Sequence, residues 1–114
     1  MPLLTLTTNI TLDAEHRQAF ARHASREVAS LLGKAENYVM VQVSDGACLL
    51  FAGSEQAAAL LELKSLGLPE QRSGEFSAAL CRLVQEQLGI DPARIYIEFS
   101  SPPRHLWGWN GKTF

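Results

Sequence analysis

The second residue of this chain is a proline, and its chemistry depends on whether Met1 is removed. With Met1 attached, the Pro2 nitrogen is an amide and has no basicity. Without Met1 it is a secondary amine, and an ordinary α-amino group has a pKa of about 7.7–8.0. Burial or a nearby lysine lowers that pKa, so a neutral amine becomes available as a general base near pH 7. A structural alternative remains, since proline also suits the edge of a strand.

Two other residues are candidates for binding an acidic substrate. Lys34 follows Gly33, which has the pattern of a residue that ends a helix. Its ammonium group either binds a substrate carboxylate or complements the negative end of that helix. Tyr96 lies in the middle of a predicted strand and is either a substrate-binding or catalytic hydroxyl or an aromatic of the core or an interface.

No metal or cofactor site is predicted. His16 and His23 are spaced to share one face of a helix, but no third ligand joins them. The glycines form neither a GxGxxG nor a Walker A pattern, so no phosphate-binding loop is indicated. Cys48 and Cys81 lie in apolar runs, and we expect two buried, reduced thiols.

The pattern of apolar residues predicts strands and helices in a repeated order. A helix should begin at the cap Asp13 and end at Gly33, and a second should end at Gly89. Strands are predicted at 3–8, 38–43, 47–51, 58–64 and 94–99.

The two halves superimpose with a single offset, which aligns Gly33 with Gly89 and Val39 with Ile95. We therefore predict one domain, residues 1–114, with an internal pseudo-repeat of about 1–56 and 57–114. Its fold class is α+β in two layers: tandem β-α-β units that form a four-stranded mixed sheet with both helices on one face. Such apolar strands need cover on the other face, which oligomerisation would supply. The same pattern also fits a ferredoxin-like binding module.

The composition of the chain limits the kinds of partner that it can bind. Hydrophobic residues make up 46% of the chain and the net charge is −2. This balance argues against nucleic acid, because no basic stripe is available to neutralise phosphates. No segment is long and apolar enough for a bilayer, and no signal peptide is recognised, so we expect no membrane partner and a cytoplasmic location.

Short sequences along the whole chain resemble the macrophage migration inhibitory factor and D-dopachrome tautomerase family, in the tautomerase superfamily. They are Met1-Pro2, Thr8-Asn9, Leu32-Gly33-Lys34, Phe51-Ala52-Gly53-Ser54, Ser65-Leu66-Gly67, Arg94-Ile95-Tyr96-Ile97, Gly108-Trp109-Asn110 and Thr113-Phe114.

The resemblance implies a homotrimer whose sheets form a central barrel, with three active sites at subunit interfaces. It implies that Pro2 moves a proton between carbon and oxygen of an α-keto acid or its enol, such as a phenylpyruvate-like or dopachrome-type compound. Lys34 and the backbone around Leu66 would hold the carboxylate, and Tyr96 would come from the neighbouring subunit. The remaining implied residues form the pocket wall: Leu3, Tyr38, Trp107 and Phe114.

The chain also departs from the family. Ala58 and Leu61 replace a CxxC pair, which should remove thiol-oxidoreductase activity. Glu98 replaces an asparagine, and an ionised carboxylate accepts hydrogen bonds but cannot donate them. Glu98 would therefore alter substrate choice, and Trp107 would narrow the pocket.

Two alternatives to an enzyme remain open. One is a cytokine-like mimic or interaction protein with vestigial catalysis and an unidentified receptor or protein partner, since this family can be exported without a leader. The other is a ligand-binding module with no chemistry.

Overall fold

The computed structural model describes residues 1–114, which form two long helices, a four-stranded sheet and a small hairpin. In chain order the elements are β1 (Pro2–Thr8), α1 (Ala14–Leu32), β2 (Met40–Ser44), β3 (Ala59–Ser65), α2 (Ser73–Leu88), β4 (Ile95–Ser100), β5 (Gly108–Trp109) and β6 (Lys112–Thr113). Short 3-10 turns lie at Glu36–Tyr38, Glu70–Arg72, Pro92–Arg94 and Arg104–Leu106.

Both ends of α1 form as the sequence predicts. The Asp13 carboxylate accepts a hydrogen bond from the His16 amide at 2.8 Å, which satisfies a free N–H of the first turn. Gly33 has φ of 62°, the left-handed conformation that glycine adopts most readily. The next amide, Lys34 N–H, then donates to the Ala29 carbonyl at 3.0 Å. The helix therefore stops abruptly, and Lys34 is the first residue beyond it.

The strands are ordered β2-β1-β3-β4. β1 pairs with β2 and β3 pairs with β4 in parallel, while the central pair, β1 and β3, is antiparallel. Each parallel pair is joined through one helix, so the chain contains two β-α-β units. The predicted mixed sheet is confirmed.

Both helices cover one face of the sheet. Phe20 of α1 and Phe76 of α2 are buried in one cluster with Leu4 and Leu63 of the central strands. Inward and outward side chains alternate along these strands, as expected where one face is buried. The prediction of two helices on one face is confirmed.

The opposite face of the sheet is more polar than we expected. Its middle row, read in strand order through the residue pairing, is Gln42, Thr5, Glu62 and Glu98. Its large apolar side chains, such as Met40 and Tyr96, lie in the rows on either side. The expectation of apolar strands on both faces was therefore wrong, because polar residues occupy alternate positions on this side.

Three local predictions were also wrong. Tyr38 ends a 3-10 turn, and β2 begins only at Met40. Residues 47–50 form no strand, and Phe51 makes only an isolated bridge to Ser54. Burial of both thiols was overestimated, since Cys48 is exposed and Cys81 is half-buried, although both are free. None of the helices combines the length and apolar character needed to cross a bilayer.

Candidate active site

Pro2 lies at the start of the central strand β1, where it pairs with Ser65 of β3. Its side chain is fully buried, which fixes the N-terminal end of the strand. A cavity of about 410 Å³ opens beside it. Mostly apolar residues surround this first cavity: Met1, Pro2, Leu3, Asn37, Tyr38, Val39, Met40, Trp107, Gly108 and Trp109.

Aromatic rings form one wall of the first cavity. The Tyr38 ring meets the Trp109 ring edge-to-face, with centroids 6.0 Å apart. Trp109 also stacks at the same separation on Phe114, which borders the second cavity described below. Trp109 is held by the hairpin β5–β6, whose turn residues Asn110 and Gly111 both have positive φ. Asn-Gly is the pair that this turn favours, so the local sequence fixes the position of Trp109.

A second cavity, of about 320 Å³, adjoins the first, and Met1 and Tyr38 border both. Lys34 reaches it because α1 ends at Gly33. Leu66, which is buried, and Arg104 supply other parts of its lining. The second cavity therefore contains two basic side chains beside the N-terminal residue.

The two basic side chains also act on the N-terminal amino group. Burial, and after it the positive charges of Lys34 and Arg104, lower the pKa of the Met1 amino group below its ordinary value. The Pro2 nitrogen is three bonds away, within about 4 Å. The same surroundings therefore disfavour a charged amine at Pro2.

Seven of the sequence-predicted residues come together here within one chain. Pro2, Leu3, Tyr38 and Trp107 border the first cavity, and Lys34, Leu66 and Phe114 border the second with Tyr38 again. No group of three or more His, Cys, Asp or Glu side chains is arranged to hold a metal ion.

Tyr96 and Glu98 are not part of either cavity. Both lie on β4, an edge strand separated from β1 by β3, and they point away from the helices. Tyr96 is 65% exposed, and its ring meets that of Phe51 edge-to-face at 4.8 Å.

Sequence reasoning missed Arg104, Met40 and Trp109 as cavity residues. Arg104 had a signal, since it is a basic residue directly after Pro102-Pro103, where the chain is stiff. Trp109 belongs to one of the short sequences that resemble the family, but its contact with Tyr38 depends on the hairpin turn. Nothing in the sequence shows that Met40 borders the same cavity.

The whole chain is similar to known proteins of one family. The family model described as macrophage migration inhibitory factor matches residues 1–114. The chain belongs to the macrophage migration inhibitory factor family. It is therefore a member of the tautomerase superfamily.

Individual family members match over nearly their full length. A macrophage migration inhibitory factor homologue of Brugia malayi is 36% identical, over 100% of this chain and 99% of the relative. The crystal structure of a homologue from Prochlorococcus marinus superimposes with a TM-score of 0.92 at 36% identity, over 98% of each chain. The structure from Trichinella spiralis gives a TM-score of 0.90 at 34% identity, over 98% of this chain and 99% of that one.

Proposed function

We propose that this member of the macrophage migration inhibitory factor family is a keto–enol tautomerase that uses Pro2 as its base once Met1 is removed. The observation that carries the proposal is the position of Pro2. It lies beside an aromatic cavity and adjoins a basic cavity, as an α-keto acid with an aromatic side chain requires. Phenylpyruvate-like compounds fit this arrangement, and dopachrome-type compounds combine the same features.

The chemistry needs no cofactor. The neutral Pro2 amine removes a proton from the carbon next to the keto group, and that C–H electron pair forms the carbon–carbon double bond of the enolate. The protonated amine then gives that proton to the enolate oxygen, which forms the enol and leaves the amine neutral again. In the reverse direction the amine takes the hydroxyl proton of the enol and delivers it to carbon, so the net reaction is an isomerisation without oxidation or reduction.

The two cavities would bind different parts of the substrate. The substrate carboxylate would bind Lys34, and the developing negative charge on the oxygen would lie in the same positive field. The ring would pack against Tyr38, Trp107 and Phe114. Because these walls are mainly apolar, they keep the amine neutral and strengthen the attraction between Lys34 and the carboxylate.

We also propose that the protein works as a homotrimer with sites between subunits. Three features of the single chain support this. Tyr96 and Glu98 point from an edge strand into solvent, remote from the cavities of their own chain. Leu50 is 65% exposed, and its segment, residues 47–50, has no strand partner. A neighbouring copy would cover this segment by strand addition and receive Tyr96 at its own site.

The test combines intact mass with turnover. Purified protein lacking Met1 should accelerate the loss of phenylpyruvate enol absorbance, and Pro2→Gly should reduce kcat/KM by about 100-fold or more while the trimer survives. Protein that retains Met1 should be inactive, because its Pro2 nitrogen is an amide. Full activity in a sample whose mass includes Met1 would refute the role of Pro2.

A further inference from the structure

The second cavity has two cations but no acidic side chain. Of its eight lining residues, Lys34 and Arg104 are the basic ones, and none is Asp or Glu. The three ion pairs of the chain involve Arg17, Arg72 and His16 instead. Both cations of the cavity are therefore available for anionic groups of a ligand.

Arg104 is placed at this cavity by its local structure. It follows two prolines and begins the 3-10 turn Arg104–Leu106. That turn is closed by a hydrogen bond from the Leu106 amide to the Pro103 carbonyl at 2.9 Å. The backbone at Arg104 is thus part of a hydrogen-bonded turn, and its side chain reaches the cavity from the tail, whereas Lys34 reaches it from the end of α1.

The two cations lie close to one reacting position. Lys34 and Arg104 border the same cavity as Met1, so both lie beside the residue that precedes Pro2. A volume of about 320 Å³ is at the small end of the range for small-molecule sites. A compact ligand with two anionic groups would match a cavity of this size that contains two cations.

We propose that Arg104 binds the second carboxylate of a compact α-keto dicarboxylate whose first carboxylate binds Lys34. The inference rests on the proposed tautomerase function and names a further substrate class for the same site. In a four-carbon diacid of this kind, the carbon that loses its proton lies between the keto group and the second carboxylate. Pro2 removes that proton and returns it in the reverse reaction, as with a monoacid. The planar guanidinium of Arg104 provides two parallel donors for the carboxylate.

The test compares a diacid with a matched monoacid. The probes are the enol of oxaloacetate and the enol of its 4-methyl monoester, which has nearly the same shape but lacks the second charge. Ketonisation is followed by ultraviolet absorbance for the wild-type protein and for Arg104→Gln. The ratio of kcat/KM for diacid over monoester should fall by about 10- to 100-fold in Arg104→Gln, mostly through KM. Using this ratio cancels any effect of Arg104 on the Pro2 amine, because both probes share that amine.

Two further variants serve as controls for the ratio of kcat/KM between diacid and monoester. Arg82→Gln removes an exposed arginine on α2 that forms no ion pair, and it should leave the ratio unchanged. Arg104→Lys keeps the charge but loses the two-pronged donor, and its ratio should fall between those of the wild type and Arg104→Gln.

The outcomes separate this inference from the proposed function. An unchanged ratio in Arg104→Gln would overturn the inference, and so would a wild-type preference for the monoester. If phenylpyruvate is still turned over in either case, the tautomerase proposal stands without the diacid. A wild-type protein that lacks Met1 but turns over none of the three enols would overturn both.

Discussion

Glu62 and Glu98 lie side by side in the parallel pairing of β3 and β4, on the sheet face that carries no helix. Like charges at directly paired positions of a sheet repel each other, and this pair has no salt bridge to offset the repulsion. The family resemblance of the sequence implies that Glu98 replaces an asparagine. The chain therefore has a local cost to stability at a position that the proposed trimer would bring to a neighbouring active site.

We predict that Glu98→Asn raises kcat/KM for phenylpyruvate enol by up to about tenfold. The substitution removes a negative charge that would repel the substrate carboxylate and restores an amide that can donate a hydrogen bond. It should also raise the free energy of unfolding by about 0.2–1 kcal/mol, because the paired carboxylates no longer repel each other. Enol ketonisation and urea denaturation measure the two effects.

Glu62→Gln is the matched control for this prediction. It removes the same repulsion between the paired residues, so it should give a similar gain in stability. Glu62 is not among the residues to which the family resemblance gives a role at the site, so its variant should leave kcat/KM close to the wild-type value. Equal gains in activity from both variants would show that the net charge of this sheet face matters rather than a contact of Glu98 with substrate.

The second prediction concerns pH. Burial and the charges of Lys34 and Arg104 act on the Pro2 amine as they act on that of Met1, so its pKa should lie below about 7.7–8.0. The neutral amine is the active base for enolisation. Activity in that direction should therefore rise as pH increases through the lowered pKa and level off above it. A rate profile of kcat/KM against pH measures this value.

Replacing Arg104 with a neutral residue tests whether its charge lowers the pKa of the Pro2 amine. Arg104→Gln should raise the pKa of the amine, and the rising part of the profile should move to higher pH. The Arg104→Gln variant leaves Tyr38, which borders both cavities, unchanged. A shift to lower pH, or none, would mean that Arg104 does not act on the base.

Much of the fold could be predicted because single residues determine where a helix begins and ends. Asp13 and Gly33 mark α1 in the sequence and cap it in the structure. The wrong and missed predictions have a common cause. The periodicity of a sequence does not show which distant part of the chain contacts a residue. Residues 47–50 have strand-like composition but form no strand within the chain. Arg104 joins Lys34 only because the tail folds back over the start of β1, and no local pattern encodes that contact.

The third prediction concerns Arg94, which holds the loop before β3. Its guanidinium donates to the carbonyls of Phe51, Ser54, Gln56 and Ala57 at 3.0–3.1 Å. Arg94→Lys should lower the free energy of unfolding by about 1–3 kcal/mol, because an ammonium group cannot span these acceptors. Urea denaturation measures the loss.

Arg82→Lys is the control for Arg94→Lys, since Arg82 is exposed and makes none of these contacts, and its stability should not change. A second effect of Arg94→Lys follows from Phe51, whose ring lies 5.1 Å from the guanidinium carbon and also touches Tyr96. Loosening Phe51 should increase the mobility of Tyr96, which proton exchange and aromatic NMR signals of the assembled protein would report. Unchanged stability would mean that water replaces the lost hydrogen bonds at no cost.

The fourth prediction tests the assembly through Leu50. This side chain is 65% exposed in the single chain, and a trimer that pairs residues 47–50 with a neighbouring strand would bury it. Leu50→Asp should then dissociate the trimer and reduce activity with it, because burying an unpaired carboxylate is costly. Ala78→Asp, an exposed position on α2, is the control and should keep the assembly intact. Light scattering gives the mass of each variant. A fully active trimer of Leu50→Asp would place the interface elsewhere on the chain.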